Sequence, residues 1–424
     1  MKILVVVDSI NINDSSGSKA NVALINNLAQ AGFDVKVYHY TLKNIQMAGI
    51  DCVSIPEKKW GMLFVLSRVQ RVFTRVTGIH LHRFLEEVFG FSFTFFNDTK
   101  SIVSALKKED SFEPNLVITL SKAASFRPHY ALLQLPKWHQ KWMAYVHDPY
   151  PFHFYPRPFT WVEQGHRQKE RFFQKVSEKA QYAAFPSLLL KEWMGSFFPE
   201  FLAKGVVIPH QLSKNSANES AECQSELVED QASYFNVSSF TLLHAGNLLK
   251  QRNPLFLIQA FNLFLEHIPS AKETAQLLLL GPAGYHEKEI EALLPQNANI
   301  VFINKNVPFN QVQAMQAKAA VNIILEAKSE ISPFLPGKFP HCIAANKPIL
   351  LLGPYYSETK RLLGHDYPYW AEADEVEKIA KIMENLYQLW KQNSDKLLLN
   401  RSDLEDYLRE KYLKDVIINL LKVE

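Results

Sequence analysis

Short, unbroken apolar runs punctuate this chain from end to end. In the first half they are KILVVVD (2–8), DVKVYHY (34–40), PNLVITLS (114–121), KWMAYVHDP (141–149), YAAFPS (182–187) and KGVVIPH (204–210). In the second they are FTLLHAG (240–246), AQLLLLGPAG (275–284), NIVFINKNV (299–307), AVNIILEA (320–327) and KPILLLGP (347–354). A strand with one wet face alternates apolar and polar residues, whereas a run without alternation is buried on both faces, as in a parallel sheet covered by helices. Runs of this length, closed by turn residues and mostly separated by helix-period segments, predict an α/β chain.

The first unit is explicit. After KILVVVD comes the polar loop NINDSSGSK, then ANVALINNLAQAG, which sets Val22, Ile25, Leu28 and Ala29 on one helical face and stops at Gly32. DVKVYHY completes a βαβ unit with a right-handed crossover.

At 424 residues the chain is too long for one core. The runs fall into two groups around a polar, Ser-, Asn- and Glu-rich stretch at 211–239, read as a linker. The expected organisation is two doubly wound, Rossmann-like domains, 1–210 and 240–385, facing a cleft, followed by terminal helices over 386–424 that pack back on the first domain. Ligands of such sheets bind at the carboxyl ends of the strands.

Bulk properties narrow the class. A hydrophobic fraction of 47% and a charged fraction of 21% are those of a soluble globular protein, and a net charge of +3 gives no argument for nucleic acid. Cys52, Cys223 and Cys342 are odd in number and far apart, which disfavours a disulfide framework and a zinc site and fits a reducing cytoplasm. No apolar segment approaches the roughly 18 residues of a membrane span.

The stretch ISPFLPGKFPHCIAANKPILLLGP (331–354) carries the sharpest chemical signal. Pro340 suits the first turn of a helix running from about Lys338 to Ala345, and Asn346 suits the left-handed residue that ends one. Amides from Gly337 onward, with the Lys338 charge, would then receive an anion; the alternative is a solvated first-turn lysine. A second basic loop, HAGNLLKQRNP, places Lys250 and Arg252 between a strand and the helix that opens at Pro254. Two such loops in one domain make a diphosphate the expected guest.

The order of these segments resembles the donor-binding half of retaining GT-B glycosyltransferases, the large group-1 (family 4) class. In that family a G-R-x-x-x-x-K pattern binds the donor diphosphate. Asn247 and Arg252 stand at the corresponding positions here, so the first cation is missing, with Lys250 beside it. The family's P-x-K…E-Y-x-A-x-G-K-P segment is similar to Pro336, Lys338, Pro340 to Cys342 and Ala344 to Pro348, with Asn346 in place of Gly, and the resemblance places Ser332, Phe334, Leu335, Gly337, Lys338 and His341 at the donor. Many members carry two glutamates eight positions apart; Pro333 and His341 stand there instead.

In the first half, Gly17 and Ser18 correspond to the family's donor-contacting loop and Lys19 to its acceptor side. AYVHDPYP resembles the strand ending in His-Asp-Pro, which makes His147 and Asp148 the catalytic candidates, and SFRPHYALL supplies His129 as an acceptor contact. Buried, satisfied histidines are the alternative for both. The resemblance implies transfer of a sugar from a nucleotide-sugar to a saccharide or lipid-linked acceptor in surface polysaccharide or lipopolysaccharide assembly, with no cofactor and no metal. An epimerase or phosphorylase of the same fold, and an inactive nucleotide-sugar-binding scaffold, remain open.

No Asp-x-Asp, Walker loop or G-x-S-x-G is present, and His80 with His82 form an isolated H-x-H read as solvated or packed. Residues 57–96 interleave Lys58, Lys59, Arg68, Arg71, Arg75 and Arg83 with Trp60, Phe64, Phe73 and Phe84. Such a block either lies in an anionic membrane interface, on the inner face of the membrane, or forms amphipathic helices packed on the first domain with wet polar faces.

Overall fold

The computed structural model describes residues 1–78, 81–122, 125–150, 162–212 and 234–422, which leaves His80 and residues 213–233 of the 211–239 stretch outside the described residues. The chain forms two compact units, Met1–Gln211 with Glu410–Glu424, and Leu212–Arg409.

The first unit is built on β1 (Lys2–Val7), β2 (Asp34–His39), β3 (Asp51–Ser54), β4 (Leu116–Leu120), β5 (Trp142–Tyr145), β6 (Tyr182–Phe185) and β7 (Gly205–Val207). Their order is β3-β2-β1-β4-β5-β6-β7, parallel throughout, with Val5 opposite both Val37 and Ile118. The unbroken apolar run of β1 has a direct cause. Leu4 and Val6 enter one core, with Phe95, Phe126 and Phe173, while Ile3, Val5 and Val7 enter another on the opposite face, with Leu24 and Leu28.

The last helix, Glu410–Lys422, joins that second core through Leu413 and Ile417, both fully buried. Each such side chain stabilises the packed state by about 1.5–3 kcal/mol.

The second unit has β8 (Phe240–Ala245), β9 (Ala275–Leu280), β10 (Ile300–Ile303), β11 (Val321–Leu325), β12 (Ile331–Ser332), β13 (Ile349–Leu352), β14 (Tyr356–Ser357) and β15 (Trp370–Ala371). The main sheet runs β10-β9-β8-β11-β13-β15, again parallel, and β12 pairs with β14. Both sheets are therefore doubly wound, with the strand order reversing beside β1 and β8. The boundary expected at 385 falls inside one continuous helix, Val376–Gln392, which packs through Ile379, Met383 and Leu386 against Phe261 and Phe264 of the helix Leu255–His267. Residues 386–409 accordingly stay with the second unit.

The helix Met62–Thr77 leaves much of its apolar surface exposed, while the next helix, Leu81–Phe89, buries Leu85. The residues that Met62–Thr77 buries are polar, Ser67 and Gln70, while Val65, Val69, Val72 and Val76 are exposed. The polar face is wet, with Arg68, Arg71 and Arg75 exposed, and Leu63, Phe64 and Leu66 are half-buried, but the valine stripe beside the arginines is exposed as well.

Candidate functional site

At the switch point of the second unit, β8 ends in His244 and Ala245 and passes into Gly246, whose φ of +147° an L side chain rarely adopts. The Gly246 amide donates to Leu280 O at 2.8 Å. Gly281, φ +128°, lies so close beneath that a Cβ on it would stand 2.5 Å from the Gly246 carbonyl oxygen. Leu248 is buried, the Arg252 amide closes a turn onto Leu249 O at 2.8 Å, and Asn253 Oδ1 accepts from the Leu255 amide at 2.9 Å to start the helix. Asn247 and Lys250 are exposed, whereas Arg252 is half-buried. The inward cation of this loop is therefore Arg252.

On the other side of the switch point, β11 leads into Glu326, 4% exposed, with neither carboxylate oxygen hydrogen-bonded. Burial raises its pKa, against the lowering influence of Ser332, Thr359 and Arg252. Ser332 is buried in β12, Phe334 is half-buried, and the Leu335 side chain lies in a core with Ile324 and Phe339. The Leu335 side chain is thus a packing group of that core.

The helix after Gly337 spans Phe339–Ala344, and Asn346 ends it with φ +49°. The Phe339 amide donates to Pro336 O at 2.8 Å, so it is not among the amides open to an anion. His341 turns its ring onto Phe309 at 4.7 Å, with Nδ1 3.5 Å from Gln313 Nε2.

Lys338 brings the two sides together. Its Nζ lies 3.4 Å from His244 Nδ1, and a Cβ on Gly246 would stand 3.0 Å from it. Glycine at 246 thus leaves room for the lysine. Burial, then the charge of Arg252, pulls the Lys338 pKa down to about 7, with Glu326 acting in the opposite sense. Burial and then Lys338 and Arg252 hold His244 well below the usual imidazole range. Arg252, Lys338, His244 and Glu326 thus share one electrostatic environment, and among the described residues neither Arg252 nor Lys338 forms an ion pair. Two unmatched cations beside a strand-end backbone form a receptor for a polyanion.

In the first unit the helix Ser16–Gln30 follows β1, capped by Ser15, whose Oγ accepts from the Ser18 amide at 3.1 Å. Ser18 is fully buried with its hydroxyl 3.1 Å from Ser15 Oγ, so its side chain serves the cap, not a ligand. Gly17 and Lys19 are half-buried, and burial lowers the Lys19 pKa.

His129 is fully buried, with Nδ1 2.6 Å from Thr119 Oγ1, which also accepts from Trp142 Nε1 at 2.8 Å. It cannot touch an acceptor and is corrected to a core residue. His147, two residues beyond β5, is 6% exposed, with Tyr145 at 4.5 Å, the His210 ring stacked at 5.7 Å and no hydrogen bond to either ring nitrogen. Asp148 beside it is half-buried.

Sequence reasoning missed three groups. His244 is hidden within an apolar strand, and Glu326 directly follows one, which is its only signal. The third sits at the end of β1, where Arg127 lies between Asp8, 3.3 Å away, and Asp98, 2.9 Å away. Among the described residues no group of three or more His, Cys, Asp or Glu is placed to hold a metal, and no helix is long and apolar enough to cross a membrane.

No protein-family model matches the chain, and no curated protein matches it. Solved structures do. A UDP-forming α,α-trehalose-phosphate synthase from Burkholderia xenovorans aligns over 99% of this chain and 98% of its own, with TM-score 0.66 and 10% identity. HepE of Anabaena, in complex with UDP and glucose, aligns over 100% of both chains with TM-score 0.62 and 13% identity. A glycosyltransferase from Rickettsia africae aligns over 99% of this chain and 97% of its own, with TM-score 0.62 and 12% identity. At these identities the likeness is one of fold, and that fold is GT-B, two Rossmann-like units in one chain.

Proposed function

We propose that this protein is a glycosyltransferase that moves a sugar from a nucleotide-diphosphate donor to a saccharide or lipid-linked acceptor in surface polysaccharide or lipopolysaccharide assembly, with retention of anomeric configuration and without metal or cofactor. It works in the cytoplasm, in peripheral contact with the inner face of the membrane. The observation that carries the reading is Lys338 Nζ set 3.4 Å from His244 Nδ1 and against Gly246 at the end of β8, with Arg252 half-buried in the loop that follows and neither cation in an ion pair among the described residues. Support comes from two of the structural neighbours, one named as UDP-forming and one solved with UDP and glucose.

In the transfer, the acceptor hydroxyl oxygen bonds to the anomeric carbon while the bond from that carbon to the diphosphate oxygen breaks. The electron pair leaves with the diphosphate, and the hydroxyl proton passes to it or to solvent. Negative charge grows on the leaving group, so fixed cations there stabilise the transition state more than the ground state. Arg252 and Lys338 hold that charge; Gly246 keeps the backbone clear for them. Gly17 and Lys19 belong to the phosphate and acceptor side of the first unit, with His147 and Asp148 orienting the reacting hydroxyl.

The test is titration of UDP and other nucleoside diphosphates, followed by a donor-turnover assay with EDTA present. Arg252→Ala and Lys338→Ala are each expected to weaken donor use by about 10- to 100-fold, the worth of a charge-assisted hydrogen bond. Unchanged kinetics in both variants would overturn the assignment. Tight binding without turnover would identify a scaffold, a reading kept open because His341, packed on Phe309, stands where many relatives of the resembled class carry glutamate.

A further inference from the structure

The exposed face of the helix Met62–Thr77 is the largest feature that the donor site leaves unexplained. Met62, Val65, Val69, Val72 and Val76 are 75, 57, 56, 58 and 78% exposed. Their spacing of three and four residues draws one straight stripe along the helix, about 21 Å long at 1.5 Å per residue. A surface helix of a folded domain normally turns such a stripe inward. Here Ser67 and Gln70 are buried on the inward side, with Leu63 and Leu66 half-buried beside them, and the valines are left outside.

Charge runs along one edge of the stripe. Arg68, Arg71 and Arg75 project next to the valines, three to four residues apart on a neighbouring row of the helix. Glu57 neutralises Arg68 at 2.8 Å, but Arg71 and Arg75 form no ion pair among the described residues. Trp60, 86% exposed, stands just before the helix, with Lys58 and Lys59 exposed beside it. On the next helix Phe84, Val88 and Phe89 are also exposed.

We infer that this face docks the first unit on an anionic lipid surface, with the valine stripe in the acyl boundary and Arg71 and Arg75 at the level of the lipid phosphates. Charge complementarity selects this occupant. The stripe is convex, whereas a helix-binding protein partner needs a groove to receive it. A second copy of the chain would bring a second row of unpaired arginines against the first. A lipid interface is flat and fluid, offers phosphates to the arginines, and accommodates an exposed indole at its edge. The inference gives structural content to the membrane contact within the proposed function but stands apart from the sugar chemistry, because vesicle binding is measured without donor or acceptor.

The experiment is co-sedimentation of the full chain with phosphatidylcholine vesicles in which one third of the lipid is phosphatidylglycerol, and with phosphatidylcholine alone. The wild type is expected to partition at least about tenfold more strongly onto the anionic vesicles. Val69→Glu with Val72→Glu, both at exposed positions, is expected to abolish partitioning while circular dichroism stays unchanged. Arg71→Gln with Arg75→Gln is expected to weaken it by about 25-fold, roughly five-fold per arginine. Equal partitioning of wild type and the glutamate variant overturns the inference, as does equal binding to both vesicle types. A concentration-dependent dimer in lipid-free gel filtration that the glutamate variant loses also overturns it, by assigning the stripe to a second copy.

Discussion

Nζ of the half-buried Lys338 lies 3.4 Å from Nδ1 of His244, so a proton on either group opposes a proton on the other. Burial removes the water that would support either charge, and Arg252 adds its field to both. In the ligand-free protein His244 is neutral and Lys338 is poised near neutrality, with a pKa of about 7. A diphosphate reverses the balance by giving the ammonium a counter-charge.

Nucleoside diphosphate binding is therefore coupled to proton uptake. Between about pH 7 and the ordinary lysine value of 10.5, the free protein holds the amine and the complex holds the ammonium. UDP affinity should fall as pH rises through this window, by up to about tenfold per pH unit. Calorimetry in two buffers of different ionisation enthalpy measures the proton directly; Lys338→Met should remove it. Zero uptake by the wild type above pH 7 contradicts the shared pocket.

Burial and Arg252 set where that window begins, and Glu326 moves it in the opposite sense. Its carboxylate raises the Lys338 pKa, while burial raises its own against the lowering influence of Ser332, Thr359 and Arg252. Glu326→Gln keeps the shape and removes the charge. The pH at which UDP affinity starts to fall should move down, and stability at neutral pH should be equal or higher, by about 1–3 kcal/mol. A lower stability together with an unmoved pH profile would mean that the carboxylate is held by contacts unrelated to Lys338.

Gly281 and Gly284 make a paired test of the strand-end backbone. A Cβ at 281 would collide with Gly246 O at 2.5 Å on a backbone with φ +128°, whereas one at 284 meets nothing within 4 Å. Gly281→Ala should cost about 1–3 kcal/mol, a fall of several degrees in Tm, and should also weaken UDP binding because Gly246 must move. Gly284→Ala should change neither. Equal melting temperatures for the two variants would remove the argument for nested loops.

Much of the scaffold was legible because a strand buried on both faces leaves an unbroken run, as the split of Val6 and Val5 between opposite cores demonstrates. Lys338 and Arg252 were legible because each lies in a strand-to-helix loop beside Gly or Pro. His244 was not, since an imidazole inside FTLLHAG looks like one more core residue until the lysine is placed against it. Ser18 and His129 were misassigned for the opposite reason. Both have polar groups suited to ligands, yet Ser15 and Thr119 use those groups internally, a pairing that spacing alone does not reveal. The outward stripe at Val65–Val76 has the same periodicity as an inward one, so pattern could not say which way it faced.

Acid should unfold the first unit through its buried histidines. Trp142 Nε1 donates to Thr119 Oγ1, and the same hydroxyl pairs with His129 Nδ1 at 2.6 Å, inside the core. Burial takes the His129 pKa down from 6.5 to about 3, and burial, then His210 and His129, carries His147 well below 6.5. Because both folded-state values are depressed, the unfolded chain binds more protons below pH 6.5, and stability is lost as pH falls from there. Each histidine contributes a slope of up to about 1.4 kcal/mol per pH unit, or about 2 kcal/mol between pH 6.5 and 5. Denaturant unfolding at a series of pH values checks this; His129→Gln, whose amide can still meet Thr119, should flatten the slope by about one proton. A wild-type unfolding free energy constant from pH 7 to 5 would mean that these imidazoles are not buried neutral.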